Sequence, residues 1–226
     1  MRKGFHGVRL RIACEIIRLV LNLYHKIHLT PKLEAIDGVK LKINPKVFKP
    51  KYTLSTELLL KNSFKPCDLA VEVGAGSGAL TISLAKNSNE VVSIDIDVNS
   101  SRNALENVKL HNLLSKVHVV VADVRFFHLN KKCDLIISNP PYLPLNPITK
   151  IDRLWCAGAD LSVLKGLVSF AFENLRNGGI LKFTCSSLSF QWVKLFLEKN
   201  KFTWSITATK QTPLDTILVI EAVKGG

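Results

Sequence analysis

Along most of the chain, short apolar runs alternate with stretches whose apolar residues recur every three or four positions. Residues 69–73, 91–95, 117–121, 134–138 and 180–184 are apolar runs of strand length. Helical patterns follow the first two runs, to about Lys86 and over 99–110. Another covers 161–175 and is stopped by Asn177-Gly178-Gly179. A further helix over 190–199 precedes two last strands, 202–209 and 216–223. The loop between these, 210–214, is too short for a helical crossover, so the two pair antiparallel. The pattern predicts an α/β fold: a seven-stranded, mostly parallel sheet with helices on both faces and an antiparallel last pair.

The first fifty-three residues follow another pattern. Over 8–28, Arg11, Glu15, Arg18, Asn22 and His25/Lys26 recur at helical spacing and define one polar stripe. Arg11 and Glu15 stand as an i,i+4 pair. The remaining circumference (Ile12, Ile16, Ile17, Leu19, Val20, Leu23, Ile27) is apolar. This helix is therefore expected to bury more than half its surface against the rest of the protein, with His25 and His28 at the surface. Residues 33–43 read as a hairpin around Asp37-Gly38, with Val39, Leu41 and Ile43 alternating with Lys40 and Lys42. Pro45 and Pro50 lead to a short helix over about 55–62. Two parts are expected, a helix-and-hairpin appendage over 1–53 and a domain over 54–226.

Charge sharpens that division. The net charge is +13, and residues 1–53 hold twelve Lys and Arg against Glu15, Glu34 and Asp37. The body is nearly balanced, with nineteen against fifteen. A basic appendage fits a polyanionic contact such as RNA, or a surface tuned for solubility. Hydrophobic content of 47% with 22% charged residues excludes global disorder. No run of 18 apolar residues occurs, so no membrane span or membrane partner is expected. Cys14, Cys67, Cys133, Cys156 and Cys185 are scattered and never spaced C-x-x-C. That points to reduced thiols in a cytoplasmic setting, away from a disulfide framework or a zinc site, and no metal is expected.

The chemistry starts at Val71-Glu72-Val73-Gly74-Ala75-Gly76-Ser77-Gly78, where the first body strand turns into a helix. Glycines there let the backbone turn tightly and approach a ligand. The spacing is G-x-G-x-G, not the G-x-G-x-x-G of dinucleotide sites, and Glu72 lies two positions before the first glycine. An acid there suits a ligand with positive charge better than a pyrophosphate. Asp95 ends the second strand, where a carboxylate can accept from both ribose hydroxyls, and Asp97 competes for that role. Asp123 ends the third, within reach of an adenine's exocyclic amine, or else serves as a cap or turn residue.

With these residues the chain resembles class I S-adenosylmethionine-dependent methyltransferases over 69–223. The resemblance implies a Rossmann-like methyltransferase sheet with S-adenosyl-L-methionine as cofactor, held by Glu72, Gly74, Gly76, Gly78, Asp95 and Asp123. Asn139-Pro140-Pro141-Tyr142, directly after the fourth strand, resembles the active site of enzymes that methylate an NH2 group on a planar system, such as adenine or a glutamine amide. The nitrogen of such a group is a poor nucleophile because its lone pair is delocalised. The Asn139 oxygen and the Pro140 carbonyl can accept its two N–H bonds and stabilise the charge that builds during transfer. Pro141 stiffens the turn, and Tyr142 offers a flat face to the target.

Two further segments resemble HemK/PrmC-type release-factor glutamine methyltransferases. One is Phe48-Lys49-Pro50-Lys51-Tyr52-Thr53-Leu54-Ser55-Thr56-Glu57-Leu58-Leu59-Leu60. The other is Trp155-Cys156-Ala157-Gly158-Ala159-Asp160, which resembles the archaeal and eukaryotic branch. Leu54-Ser55 replaces acidic residues usual in that branch, and Ala159 and Leu161 replace glycines, all near where a substrate would sit. The resemblance implies a release-factor glutamine as methyl acceptor. Adenine in rRNA or tRNA is the alternative, favoured by the basic appendage. It also implies a partner, a small zinc-binding activator pairing with the apolar edge strand Val117–Val121, unless the N-terminal helix covers exposed apolar surface instead.

Overall fold

The computed structural model describes residues 2–26, 32–45, 47–50, 53–61 and 64–225, and the side chains of the first helix over 9–24. Ile27, His28, the His25 side chain, Lys51 and Tyr52 lie outside the described residues.

The chain begins with helix α1 (Arg2–Lys26), then strands β1 (Lys32–Ile36) and β2 (Val39–Ile43) and helix α2 (Leu54–Lys61). The strands form the expected hairpin, with Asp37 at φ 48° and Gly38 at φ 75°. Two left-handed turn residues match the twist of the flanking strands, and a Gly at the second makes that turn accessible. Val39, Leu41 and Ile43 point into a core shared with Leu59, Leu84 and Val108.

The body alternates β3 (Cys67–Val73), α3 (Ala79–Ala85), β4 (Ser88–Asp95), α4 (Val98–Leu110), β5 (Val117–Val121), β6 (Cys133–Ser138), α5 (Ser162–Asn174), β7 (Leu175–Ser186), α6 (Phe190–Lys199), β8 (Phe202–Gln211) and β9 (Thr216–Lys224). The seven strands of the body lie in the order β5-β4-β3-β6-β7-β9-β8. β9 runs antiparallel to both β7 and β8, and the other pairings are parallel. The chain builds outward from β3 to β5 and then returns to β6 on the other side of β3. The carboxyl ends of β3 and β6 therefore flank a switch point, where open α/β sheets bind ligands.

Two local expectations are corrected. Asn177-Gly178-Gly179 does not separate α5 from the next strand; β7 starts at Leu175 and passes through it. Pairing with β6 jumps from Cys133↔Leu175 to Leu135↔Ile180, so the extra residues form a bulge. Gly178 at φ 73° supplies the backbone conformation the bulge requires.

The second correction concerns α1, which docks with a different face. Leu10, Cys14, Ile17 and Leu21 pack against Leu143, Leu145, Trp155 and Cys156. The expected solvent stripe is partly turned inward. Asn22 donates to Asp152 Oδ1 (2.6 Å) and accepts from Trp155 Nε1 (3.2 Å), and Arg18 pairs with Glu15 at 2.6 Å in place of the expected Arg11–Glu15 contact. Ile12, Ile16, Leu19, Val20 and Leu23 are instead exposed by 41–64%. A helix whose apolar residues span more than half its circumference can dock in several rotations. Here the body presents a carboxylate and an indole N–H at the rim of its apolar patch, and the Asn22 amide satisfies both. Leu19→Lys and Leu23→Lys are expected to change stability by no more than about 0.5 kcal/mol. Cys14→Asp, which puts an unpaired charge in the closed contact, is expected to cost about 3 kcal/mol or more. Denaturant midpoints of the three variants check this, and an unshifted midpoint for Cys14→Asp would refute the docking.

Candidate active site

The glycine loop leaves β3 and enters α3 with Gly74, Gly76 and Gly78 at φ 85°, 52° and 80°. Its amides are engaged within the protein. Gly74 N and Ala75 N donate to Ile94 O at 2.8 and 3.1 Å, Gly76 N to Asp95 Oδ2 at 2.9 Å, and Gly78 N to Ala75 O at 2.7 Å. A pyrophosphate would find these donors taken. A Cβ added at Gly74 would meet nothing within 4 Å, so its backbone lies bare. One at Gly78 would come within 3.2 Å of Ala104 Cα, so that glycine also serves the close approach of α3 to α4. From α4, Asn107 Nδ2 donates to Ser77 O (2.9 Å) and to Lys42 O (2.8 Å), tying the loop to the hairpin.

The three expected acids sit in different environments. Glu72 is buried, accepts from Thr81 Oγ1, and lies in one cluster with Ser93, whose hydroxyl is 2.7 Å from that of Thr81. Burial pushes its carboxyl up to about 8, with the charge of Asp95 adding and the Thr81 bond opposing. Asp95 accepts from Gly76 N and from Asp97 N, both at 2.9 Å, and keeps acceptor capacity on both oxygens. Burial raises its pKa too. Asp97 is occupied as the N-cap of α4, accepting from Ser100 N at 2.9 Å. Asp123 is gripped by Arg125, whose Nε lies 3.0 and 3.1 Å from its two oxygens, and that pairing holds its carboxyl below the usual range. Ile96, directly after Asp95, is 66% exposed and offers an apolar face beside the acid. Acids around a bare, donor-poor loop fit a ligand that carries a cationic centre and sugar hydroxyls.

Across the switch point, β6 ends in Ser138, whose hydroxyl donates to Val73 O at 2.7 Å and ties the two loops together. Asn139 follows. Its Nδ2 donates to Thr56 Oγ1 (2.9 Å) and its Oδ1 accepts from Thr184 Oγ1 (2.5 Å). Pro140 is buried and Pro141 half-buried. Tyr142 is half-buried; burial raises its pKa, the charge of Asp215 adds, and a hydrogen bond from Ser55 opposes.

The Trp155 segment lies alongside this loop. Tyr142 N and Leu143 N both donate to Trp155 O (3.0 and 2.8 Å), and Ala157 N donates to Leu143 O (2.9 Å). The Trp155 ring packs on Phe48, with centroids 5.5 Å apart, and Phe48 Cβ is 3.9 Å from where a Gly76 Cβ would stand. The fold thus brings together the glycine loop, the Phe48 segment, Asn139 to Tyr142 and Trp155. Thr56 and Ser55 lie in a segment singled out from sequence without a role of their own. Thr184 and Arg125 gave no signal at all.

This sheet order, with an acid-lined glycine loop on one side of the switch point and Asn-Pro-Pro-Tyr on the other, defines a class I S-adenosylmethionine-dependent methyltransferase. The chain belongs to the methyltransferase small domain family, which matches residues 38–187. A Methanocaldococcus jannaschii protein named as a protein N5-glutamine methyltransferase is 32% identical over 198 residues, 83% of this chain and 96% of that one. A Clostridium botulinum release factor glutamine methyltransferase is 30% identical over 58% of this chain and 50% of its own length. The crystal structure of an M. jannaschii tRNA m1G37 methyltransferase superposes with a TM-score of 0.63 at 19% identity, over 87% of this chain and 57% of that one, a likeness of fold. No helix among the described residues is long and apolar enough to cross a membrane.

Proposed function

We propose that the protein methylates the side-chain amide nitrogen of a glutamine in a peptide-chain release factor. The observation that carries this reading is the Asn139 amide, fixed at both ends beside the glycine loop and hydrogen-bonded through its neighbours to the Trp155 segment. The near full-length relative named for glutamine methylation supports it.

S-adenosyl-L-methionine, when bound, supplies a methyl group on a positively charged sulfur. Glu72, Gly74, Gly76, Gly78, Asp95 and Asp123 would hold it: Asp95 through the ribose hydroxyls, Asp123 through the adenine amine once Arg125 releases one of the Asp123 oxygens, and Gly74 by close backbone approach. Glu72 acts from beneath the loop, as a buried carboxyl whose ionised form a cation above would favour. Asn139 Oδ1 and the Pro140 carbonyl accept the two N–H bonds of the target, favouring a pyramidal nitrogen with its lone pair available. Pro141 keeps that carbonyl in place, and the Tyr142 ring, its hydroxyl bonded to Ser55, supports the planar group. The positive charge developing on nitrogen is drawn toward the two oxygens, and its proton leaves to water after transfer.

The second reading is an adenine amine in rRNA or tRNA, favoured by the +9 balance of residues 1–53. We treat 1–53 as an appendage to a catalytic domain over 54–226, in a cytoplasmic setting consistent with five free cysteines. A strand-pairing partner, of the small zinc-binding activator type, would use β5, which ends the sheet order and pairs with β4 alone among the described residues. Transfer of radiolabelled methyl groups into cell extract tests the substrate. Label lost to protease and kept through ribonuclease is expected; label lost only to ribonuclease would replace the glutamine with adenine.

A further inference from the structure

Helix α1 reaches the active site through one side chain. Asn22, near the carboxyl end of that helix, stands between two partners of opposite polarity. The Trp155 indole N–H can only donate, and the ionised Asp152 carboxylate can only accept. Burial works to raise the pKa of Asp152, but hydrogen bonds from Asn22, Thr149 and Ile148 outweigh it and hold the carboxyl below its ordinary value. Asn22 Oδ1 accepts from Trp155 Nε1 at 3.2 Å, and its Nδ2 donates to Asp152 Oδ1 at 2.6 Å. A short amide carries both functions in one plane, and the two partners dictate which end faces which. Asp152 and Trp155 are only 1% and 5% exposed, so water is kept from both. Both belong to the segment that carries the catalytic loop. Asp152 Oδ2 accepts from Ile148 N (2.9 Å) and Thr149 N (2.8 Å), and its carbonyl accepts from Trp155 N (3.0 Å) and Cys156 N (2.7 Å). The Trp155 carbonyl in turn receives Tyr142 N and Leu143 N, while its ring rests on Phe48. The path from Asn22 to the backbone of Tyr142 therefore runs through a single residue, Trp155.

We propose that Asn22 is a positioning residue for methyl transfer: by holding Trp155 and Asp152 together it sets the backbone from which Asn139-Pro140-Pro141-Tyr142 is hung. This rests on the reading of that loop as the site of transfer. The apolar face of α1 supplies adhesion without direction, because contacts of Leu10, Cys14, Ile17 and Leu21 with Leu143 and Leu145 tolerate sliding. The Asn22 bonds have direction and so fix the register of the helix against the Trp155 segment. Transfer is sensitive to such placement: a shift of ~1 Å in a catalytic group can cost on the order of 100-fold in rate. The glycine loop is bonded to Ile94 and Asp95 instead, so cofactor binding is not expected to depend on Asn22. A residue outside the expected domain over 54–226 thus acts on its chemistry.

The test uses the full chain with S-adenosylmethionine and purified release factor as methyl acceptor, at a temperature well below each variant's unfolding midpoint. Asn22→Leu keeps the approximate shape and removes both bonds. It is expected to lower kcat on the order of 10-fold and to leave KM for S-adenosylmethionine within about twofold. Asn22→Asp, which sets a second carboxylate against Asp152, is expected to be impaired at least as much. Combining Asn22→Asp with Asp152→Asn exchanges the two groups and allows every bond again. The new carboxylate accepts from Trp155 Nε1 and from the new amide, whose oxygen accepts from Ile148 N and Thr149 N. This double variant is expected to recover kcat to within about threefold of wild type. A side chain that only held the fold together would move the unfolding midpoint and leave the kcat of the folded protein alone. A kcat for Asn22→Leu within about twofold of wild type, or a double variant as impaired as Asn22→Asp alone, overturns the proposal. If the wild-type protein leaves release factor unmethylated, the substrate reading fails on its own. The positioning role is then decided by the backbone 1H–15N signals of Tyr142 and Leu143. They must move in Asn22→Leu and return in the double variant, and signals that stay in place in Asn22→Leu overturn it.

Discussion

Replacing Asn139 with alanine is expected to reduce methyl transfer on the order of 1,000-fold while S-adenosylmethionine binds as before. The two halves of that expectation come from different parts of the site. Gly74, Gly76 and Asp95, the residues proposed to hold the cofactor, are hydrogen-bonded between the glycine loop and the end of β4, and none of these bonds involves Asn139. Losing the amide leaves them in place, so calorimetric titration with the cofactor should return an unchanged affinity. The transfer step would lose the acceptor proposed for the amine, and the fold loses the partner of two buried threonine hydroxyls. A delocalised nitrogen gains its nucleophilicity only as its N–H bonds are held out of plane, so the loss falls on the barrier and not on ground-state binding. Single-turnover transfer of labelled methyl groups reads the barrier directly. A rate within tenfold of wild type, an order-of-magnitude margin below the usual effect of removing such a group, would remove Asn139 from the chemistry.

That prediction was accessible from sequence because the motif is contiguous: four adjacent residues at the end of an apolar run. The sheet was legible for the same reason. Val117–Val121 has the bounds the apolar run gives it, and the other strands differ from their runs mainly by extension at the ends. Local patterns report whether a segment is a strand or helix because burial imposes the period. What they do not report is which neighbour each side chain finds. Asn139 is fixed by residues 83 and 45 positions away in the chain. The rotation of α1 was illegible because its apolar residues span more than half the circumference, and the choice of face was made by Asp152 and Trp155 on another segment. The Gly78–Ala104 contact likewise exists only once α3 and α4 are side by side. Glu72 was read as an acid near a cationic ligand, and nothing in its neighbours reveals that Thr81 and Ser93 close around it.

The burial of Glu72 has a consequence for stability that can be read without any substrate. Its carboxyl titrates at about 8 in the folded protein against a reference value of 4.5. Between those values the folded chain keeps a proton that the unfolded chain has released. Stability must then fall as pH rises through this window. The contribution is full below about 4.5, is lost progressively up to about 8, and amounts to a few kcal/mol. Other groups act elsewhere on the pH scale. The carboxyls of Glu90, Glu106, Asp123, Asp134 and Asp152 lie below their ordinary values, so their contributions are lost only in acid. The buried thiols of Cys133 and Cys185, raised from 9.0 to about 12, act only in alkali. Urea unfolding midpoints measured from pH 5 to pH 8, a range set by the values above, are therefore expected to decline for the wild-type protein. In Glu72→Gln the decline should be largely gone, because a neutral amide can keep the Thr81 bond with no proton to lose. Asp95, also raised by burial, retains part of the slope nearest the carboxylate range, so the variant flattens the curve without levelling it. A wild-type midpoint that rises over this range would mean that Glu72 is ionised inside the fold, with its charge met by the protein alone.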